Sequence, residues 1–218
     1  MDHLITFTLE SEPIKYLCKQ DKRLEKIILQ IGPISYSPYS NCYYFLVRTI
    51  IGQMLSNIST DIIVDRLLKL CGGDICVEKI RSLEDEKLRS IGISRKKITY
   101  IRCLTNQLID GYIDFYSLST MSDDDVIKAL TSIHGIGKWS AKMYLIFVLN
   151  RQDVLPFEDG AFLQSYKCLY GSSDLSPISI QKKCHKWKPY SSIAARYLYK
   201  ALDSGLTKKE IYKDINHE

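Results

Sequence analysis

The sequence has no apolar run near the length of about 18 residues that a membrane-spanning helix needs, so no span is expected. Its first ten residues, MDHLITFTLE, carry acids and no basic stretch ahead of an apolar one, and do not read as a signal peptide. Internal repeats and low-complexity linkers are also absent. Only six of the 218 residues are proline, which leaves long segments free of the strongest helix breaker. The seven cysteines are odd in number and scattered from Cys18 to Cys184. Cys71 and Cys76 form the one close pair, and nothing beside them supplies two further ligands. The pattern is that of reduced thiols in a cytosolic or nuclear protein, not of a disulfide frame or an iron–sulfur site.

What the chain does contain is helical periodicity. Hydrophobic residues make up 45% of the sequence and recur mostly at spacings of three and four, which predicts an all-α fold. Helices are expected over 14–30, 41–53, 58–70, 83–90, 95–110, 123–132, 138–149, 161–169, 178–187 and 190–203, with a short one near 207–214. Ser82 with Asp85 and Ser122 with Asp125 read as helix starts, and Gly92, Gly111 and Gly171 as helix ends. Thirty Lys and Arg against 25 Asp and Glu leave a net charge of +5, which suits a polyanionic partner without requiring one.

Two stretches carry chemistry. In Leu130-Thr-Ser-Ile-His-Gly135-Ile-Gly137-Lys-Trp139-Ser-Ala-Lys-Met143, two glycines flank one apolar residue between amphipathic helices. Such a turn can take positive φ at its glycines and leave N–H groups exposed at the second helix's start, where phosphate binds. Lys138 adds a cation there, and Ile133 and Ile136 can pack the hairpin from below. An ordinary tight helical hairpin would look the same. The second stretch, Asp153-Val-Leu-Pro-Phe-Glu-Asp159-Gly, is an extended, proline-containing link into a new helix. It places Asp159 at a helix start, where an N-cap is the commonest job for aspartate. Glu158 and Asp153 are the rival carboxylates.

Together with Leu46 to Ser56, Ile91 to Lys97, and Trp187-Lys-Pro-Tyr190-Ser-Ser-Ile-Ala194, these stretches resemble the helix-hairpin-helix (HhH-GPD) DNA glycosylase superfamily, in its DNA-3-methyladenine glycosylase II branch. The resemblance implies a two-domain helical fold with the active site in the interdomain cleft. The domains would be a middle one over 40–150, containing the hairpin, and a second formed by 1–39 with 151–218. It also implies a monofunctional DNA glycosylase of base excision repair that flips out alkylated purines such as 3-methyladenine and 7-methylguanine and hydrolyses the N-glycosidic bond. Asp159 would be its catalytic carboxylate. Lyase members carry a Schiff-base lysine where this chain has Trp139, and a tryptophan cannot be that nucleophile; Lys138 is one position off.

The same resemblance assigns Trp139, Tyr190 and Met143 to the base pocket, where the two aromatics have core packing as the alternative; Trp187 reads as structural. Tyr43, Tyr44 and Tyr144 are further pocket candidates. DNA contacts are implied at Gly135, Ile136, Gly137, Lys138, Ile91, Gln53, Ser56 and Arg95, with Ile91 as minor-groove wedge or as the apolar closure of a hairpin. Arg95, Lys96 and Lys97 could meet phosphate or remain solvated. Met54 stands where a second glutamine is usual and Ser191 where an arginine often follows the tyrosine. No cofactor is implied, apart from a structural Na or K ion that the hairpin could hold through the backbone of Thr131, Ile133 and Ile136. The expected partner is double-stranded damaged DNA, met by a monomer at the nucleoid of a prokaryote or in a eukaryotic nucleus. A glycosylase for oxidised or deaminated bases, or a non-catalytic helix-hairpin-helix module, remain as alternatives.

Overall fold

The computed structural model describes residues 4–208. These divide into two compact units, one built from the segments up to Pro38 and from Asn150 onward, the other from Tyr39–Leu149.

In the first unit, the expected helix over 14–30 is two helices, α1 (Glu12–Gln20) and α2 (Lys22–Ile31). The break is Asp21, which leaves helical geometry (φ −142°, ψ 98°) so that its carboxylate can accept from the N–H groups of Arg23 and Leu24 at 3.1 and 3.3 Å. Aspartate competes with the helix for those donors in this way. A feature that helical periodicity did not predict is a small antiparallel ribbon of β1 (Ile5–Phe7) and β2 (Ile34–Tyr36), with Ile5 opposite Tyr36 and Phe7 opposite Ile34. Strands of three residues are too short to show an alternating pattern. After the second unit, the first resumes with α11 (Gly160–Tyr170), α12 (Pro177–Cys184), a 3-10 helix His185–Trp187 and α13 (Ser191–Asp203). Gly171 ends α11 in the left-handed region at φ 61°. Helix α13 packs on α2 and α11 around Leu24, Ile28, Phe162, Tyr166, Trp187 and Tyr197. The helix expected near 207–214 lies mainly outside the described residues; Leu206–Lys208 forms a 3-10 turn.

The second unit holds α3 (Cys42–Gly52), α4 (Asn57–Leu70), α5 (Val77–Ser82), α6 (Asp85–Ser90), α7 (Arg95–Ile109), α8 (Phe115–Thr120), α9 (Asp123–Thr131) and α10 (Lys138–Phe147). Ser122 caps α9, accepting from the Asp125 N–H at 3.2 Å while its hydroxyl donates to the Asp125 carboxylate at 2.6 Å. Ser82 does not start a helix. It ends α5, with its hydroxyl donating to the Lys79 carbonyl at 2.8 Å, and α6 follows Glu84 without a side-chain cap. Both α5 and α8 have six residues, under two turns, so their apolar residues define no repeating stripe. Helix α3 packs on α4, α7 and α10, and α9 lies on α10, which sets the loops of this unit on one scaffold.

Candidate functional site

The hairpin between α9 and α10 is built around one glycine. Gly135 sits at φ 97°, and a Cβ there would lie 2.1 Å from the Tyr100 ring, so backbone conformation and close approach both demand glycine. The expectation of positive φ at both glycines is corrected at Gly137. Its φ of −100° is extended, and a Cβ there would meet open space. Gly137 is the N-cap residue of α10 and offers no side-chain acceptor, so no capping side chain covers the start of that helix. Lys138 is exposed there. Ile133 and Ile136 are buried, and the Ile136 N–H donates to the Ile133 carbonyl at 3.0 Å. Ile136 thus holds the turn together. A carbonyl has two lone pairs, so that bond leaves Ile133 one acceptor site.

Around the hairpin, several residues expected to meet DNA also make internal contacts. The Gln53 side-chain amide donates to the Gly135 carbonyl at 2.8 Å, tying the α3–α4 turn to the hairpin. Ser56 caps α4, accepting from the Ser59 N–H at 3.2 Å. Lys97 donates to the Ile51 carbonyl at 2.7 Å, and burial lowers its pKa. Lys96 lies 5.8 Å from the centre of the Tyr100 ring, whose edge meets His134 at 4.9 Å. Arg95 is exposed at the start of α7. Ile91 is half-buried, and its carbonyl accepts from Arg66 at 3.3 Å.

The residue that does protrude is Met54, which sequence reasoning noticed only as a replacement for glutamine. It is fully exposed (101%) and held at φ 59°, a strained conformation for a residue with a side chain. Leu55 and Ile58 beside it are also exposed.

In the first unit, the link to α11 is pinned before it reaches the carboxylate. Ser191 donates to Asp153 at 2.5 Å. The Ser192 N–H donates to the Gln152 carbonyl, and the Val154 N–H to the Ser192 hydroxyl, both at 2.9 Å. Asp153 is therefore a structural acceptor, and serine at 191 has a local reason. A turn follows in which the Asp159 N–H donates to the Pro156 carbonyl at 2.9 Å. Asp159 itself is only 8% exposed, and its Oδ1 accepts from the Phe162 N–H at 2.8 Å. It is an N-cap, and the cap fixes the plane of its carboxylate. Glu158 beside it is half-buried. Burial, then the charge of the Asp159 carboxylate, hold the proton of Tyr199 on α13 well above the usual phenol range. No sequence signal marked Tyr199.

The aromatic candidates separate clearly. Tyr190 is half-buried at the start of α13, after the cis Lys188–Pro189 bond, and meets Tyr16 edge-on at 5.4 Å. Trp139 is half-buried in the first turn of α10, and Met143 on that helix is buried. Trp187 is fully buried and donates to Asp21 at 2.8 Å, a structural role. Tyr43 is buried and shares a 2.7 Å hydrogen bond with Thr105; Tyr144 is buried against Phe45 and Phe115. Tyr44 is half-buried.

Among the described residues, no cluster of three or more His, Cys, Asp or Glu could hold a metal ion, and no helix is long and apolar enough to cross a membrane. The family model described as HhH-GPD superfamily base excision DNA repair protein matches residues 47–189. DNA-3-methyladenine glycosylase 1 of Schizosaccharomyces pombe is 30% identical over 183 residues, covering 82% of this chain and 80% of that protein. The crystal structure of a DNA-3-methyladenine glycosidase from Bacillus halodurans has a TM-score of 0.84 at 32% identity, over 98% of this chain and 100% of that one. The Schizosaccharomyces pombe 3-methyladenine DNA glycosylase in complex with abasic DNA has a TM-score of 0.80 at 27% identity, over 88% and 97%.

Proposed function

Because the chain belongs to the HhH-GPD superfamily of base excision DNA repair proteins, we propose that it is a monofunctional glycosylase that removes alkylated purines from DNA by hydrolysis, with Asp159 as its catalytic carboxylate. The observation that carries this reading is the buried, capped and hence preoriented Asp159 at the start of α11. As an N-glycosidic bond breaks, positive charge builds on the sugar, and a fixed carboxylate stabilises it with little reorganisation. The same group orients the attacking water. Relatives named as 3-methyladenine glycosylases, one of them solved with abasic DNA, support both the substrate class and DNA as the partner.

The other parts follow from chemistry. The uncapped N-terminus of α10, with Lys138, binds a backbone phosphate. A monovalent ion held by the carbonyls of Thr131, Ile133 and Ile136 would add positive charge at the same turn. Trp139 and Tyr190 offer electron-rich faces to a base that alkylation has made cationic. A base can be reached only after it leaves the stack. Met54 replaces Ile91 as the best wedge, because an apolar side chain that fills a base gap must project fully from the protein. With tryptophan at 139, base loss goes to water rather than through a Schiff base.

The test is to incubate purified protein with duplex DNA carrying a methylated purine and to measure free base. Wild type releases base without cutting the strand, and Asp159→Asn is slower by roughly 100-fold or more. No release by wild type from alkylated, oxidised or deaminated DNA would overturn the enzyme assignment. Strand cleavage without alkali would overturn the monofunctional one.

A further inference from the structure

We propose that His134 and Lys96, gathered on the ring of Tyr100, form a second phosphate-binding site for the DNA backbone beside the hairpin. The proposal rests on DNA as the partner, and it adds two side chains to a grip otherwise made by the start of α10 and Lys138. Its first support is where the second unit keeps its acids. Three segments converge on Gly135. Tyr100 of α7 presses on it so closely that a Cβ there would lie 2.1 Å from the ring. Gln53, between α3 and α4, donates to its carbonyl at 2.8 Å, and α9 and α10 flank it on either side in the chain. Residues 39–60, 91–109 and 126–149, which make up these segments, contain no Asp and no Glu. The acids of this unit fall on the stretches between, 61–86 and 110–125. Keeping carboxylates off every segment that meets at the turn removes the repulsion an approaching phosphate would feel.

The second support is geometric. The Lys96 ammonium lies 5.8 Å from the centre of the Tyr100 ring, and the His134 ring meets the same ring edge-on at 4.9 Å, with the planes 81° apart. Both side chains are exposed, while Tyr100 is half-buried. Among the described residues neither has a carboxylate partner. An exposed lysine samples many rotamers, and ordering it on a ligand costs entropy. Contact with a ring held against the hairpin backbone reduces that cost before the ligand arrives. Ammonium and imidazole both donate hydrogen bonds, the imidazole in either protonation state, and a phosphodiester offers only acceptors. An acidic polypeptide would meet the same donors, but His134 stands in a hairpin within the residues that match a base excision DNA repair family, which favours the DNA backbone.

The test uses His134→Ala, Lys96→Gln and Lys69→Gln. Lys69 is exposed in the last turn of α4, within an acid-bearing stretch, and controls for loss of one charge elsewhere on the unit. Kd is measured by fluorescence anisotropy on duplexes with an abasic analogue, with every phosphate native or one at a time replaced by an uncharged methylphosphonate. His134→Ala and Lys96→Gln are each expected to raise Kd roughly two- to fivefold, with Tm little changed because both side chains are exposed. Lys96→Gln should also lower the steepness of log K against log salt by about one. One methylphosphonate position should weaken wild type by a similar factor and abolish its advantage over both variants, because the contact is already lost. Lys69→Gln should bind like wild type. Variants within about twofold of wild type, a loss no larger than that of Lys69→Gln, or a loss that persists at every methylphosphonate position overturns the site. If wild type binds no duplex, the reading of DNA as partner fails; if it binds and the variants match it, only the second site fails.

Discussion

Replacing Asp21 by asparagine, which is nearly isosteric, should unfold the first unit about as readily as replacing it by alanine. The reason is a count of donors. Asp21 is 1% exposed. Its Oδ1 accepts from the Arg23 and Leu24 N–H groups, and its Oδ2 accepts from the Tyr170 hydroxyl, the Trp187 indole at 2.8 Å and Lys186 at 3.0 Å. All five partners donate. An asparagine has one acceptor oxygen and one donor NH2, so whichever way it turns, two or three buried donors face another donor. Each unsatisfied buried group costs about 1–3 kcal/mol, and because they share one site the losses do not simply add. Breaking a buried charged cluster from one side costs about 3–5 kcal/mol, and both variants should fall in that range. Urea unfolding followed by the fluorescence of Trp187 measures it. Burial alone would raise the Asp21 pKa, but the hydrogen bonds from Tyr170, Trp187 and Lys186 outweigh it and hold the carboxyl below its usual value. The folded state therefore binds this proton more weakly than the unfolded chain. Its contribution is complete well above about pH 3.9, the unfolded-chain value, and is lost as pH falls through the folded-state value. The gap between wild type and Asp21→Asn should narrow in acid. A gap below about 1 kcal/mol at neutral pH would refute the donor count.

Three further substitutions probe the second unit. Gly135→Ala forces a side chain to φ 97° and into the Tyr100 ring, so it should cost about 2 kcal/mol or more in urea unfolding and weaken DNA binding with it. Met54→Gly removes an exposed side chain from φ 59°; Tm should hold or rise, worth up to about 1 kcal/mol, while base flipping, read by 2-aminopurine fluorescence opposite the lesion, falls. A drop in Tm would show that Met54 serves packing. Ser122→Ala deletes the α9 cap and should cost about 1 kcal/mol without changing the single-turnover excision rate.

The helices that sequence reasoning placed well are those with a wide apolar face and a polar start. Helix α9 is one, with the Ser122 cap and buried Val126 and Leu130. Helices α5 and α8, of six residues each, were missed, while α6 of the same length was expected within 83–90, so shortness alone was not the cause. The error at α1 and α2 had a different cause. Apolar spacing runs through Asp21 almost unbroken, and what stops the helix is a polar network with Tyr170 and Trp187, 149 and 166 residues away in sequence. Local pattern cannot register such a partner. Asp159 was legible because a capping aspartate after a proline link has a position that sequence can give.

A related limit governs residues expected to touch DNA. Basic and amide side chains near a binding loop read as ligand contacts, yet Lys97 and Gln53 donate to the Ile51 and Gly135 carbonyls. Both carbonyls lie at ends of elements, at the close of α3 and in the hairpin, where the backbone lacks helical partners. A buried carbonyl left unpaired costs more than a surface phosphate contact returns, so the chain spends these donors on itself. On the proposed reading DNA meets the start of α10, which no side chain caps, the exposed Lys138 and Arg95, and Met54. On that reading the phosphate grip is set by backbone geometry. Substitution of Gln53 by alanine should weaken DNA binding by loosening Gly135 rather than by deleting a contact. Urea unfolding of the free protein distinguishes the two, since deleting an amide contact to DNA leaves its stability unchanged and losing the Gln53–Gly135 bond lowers it.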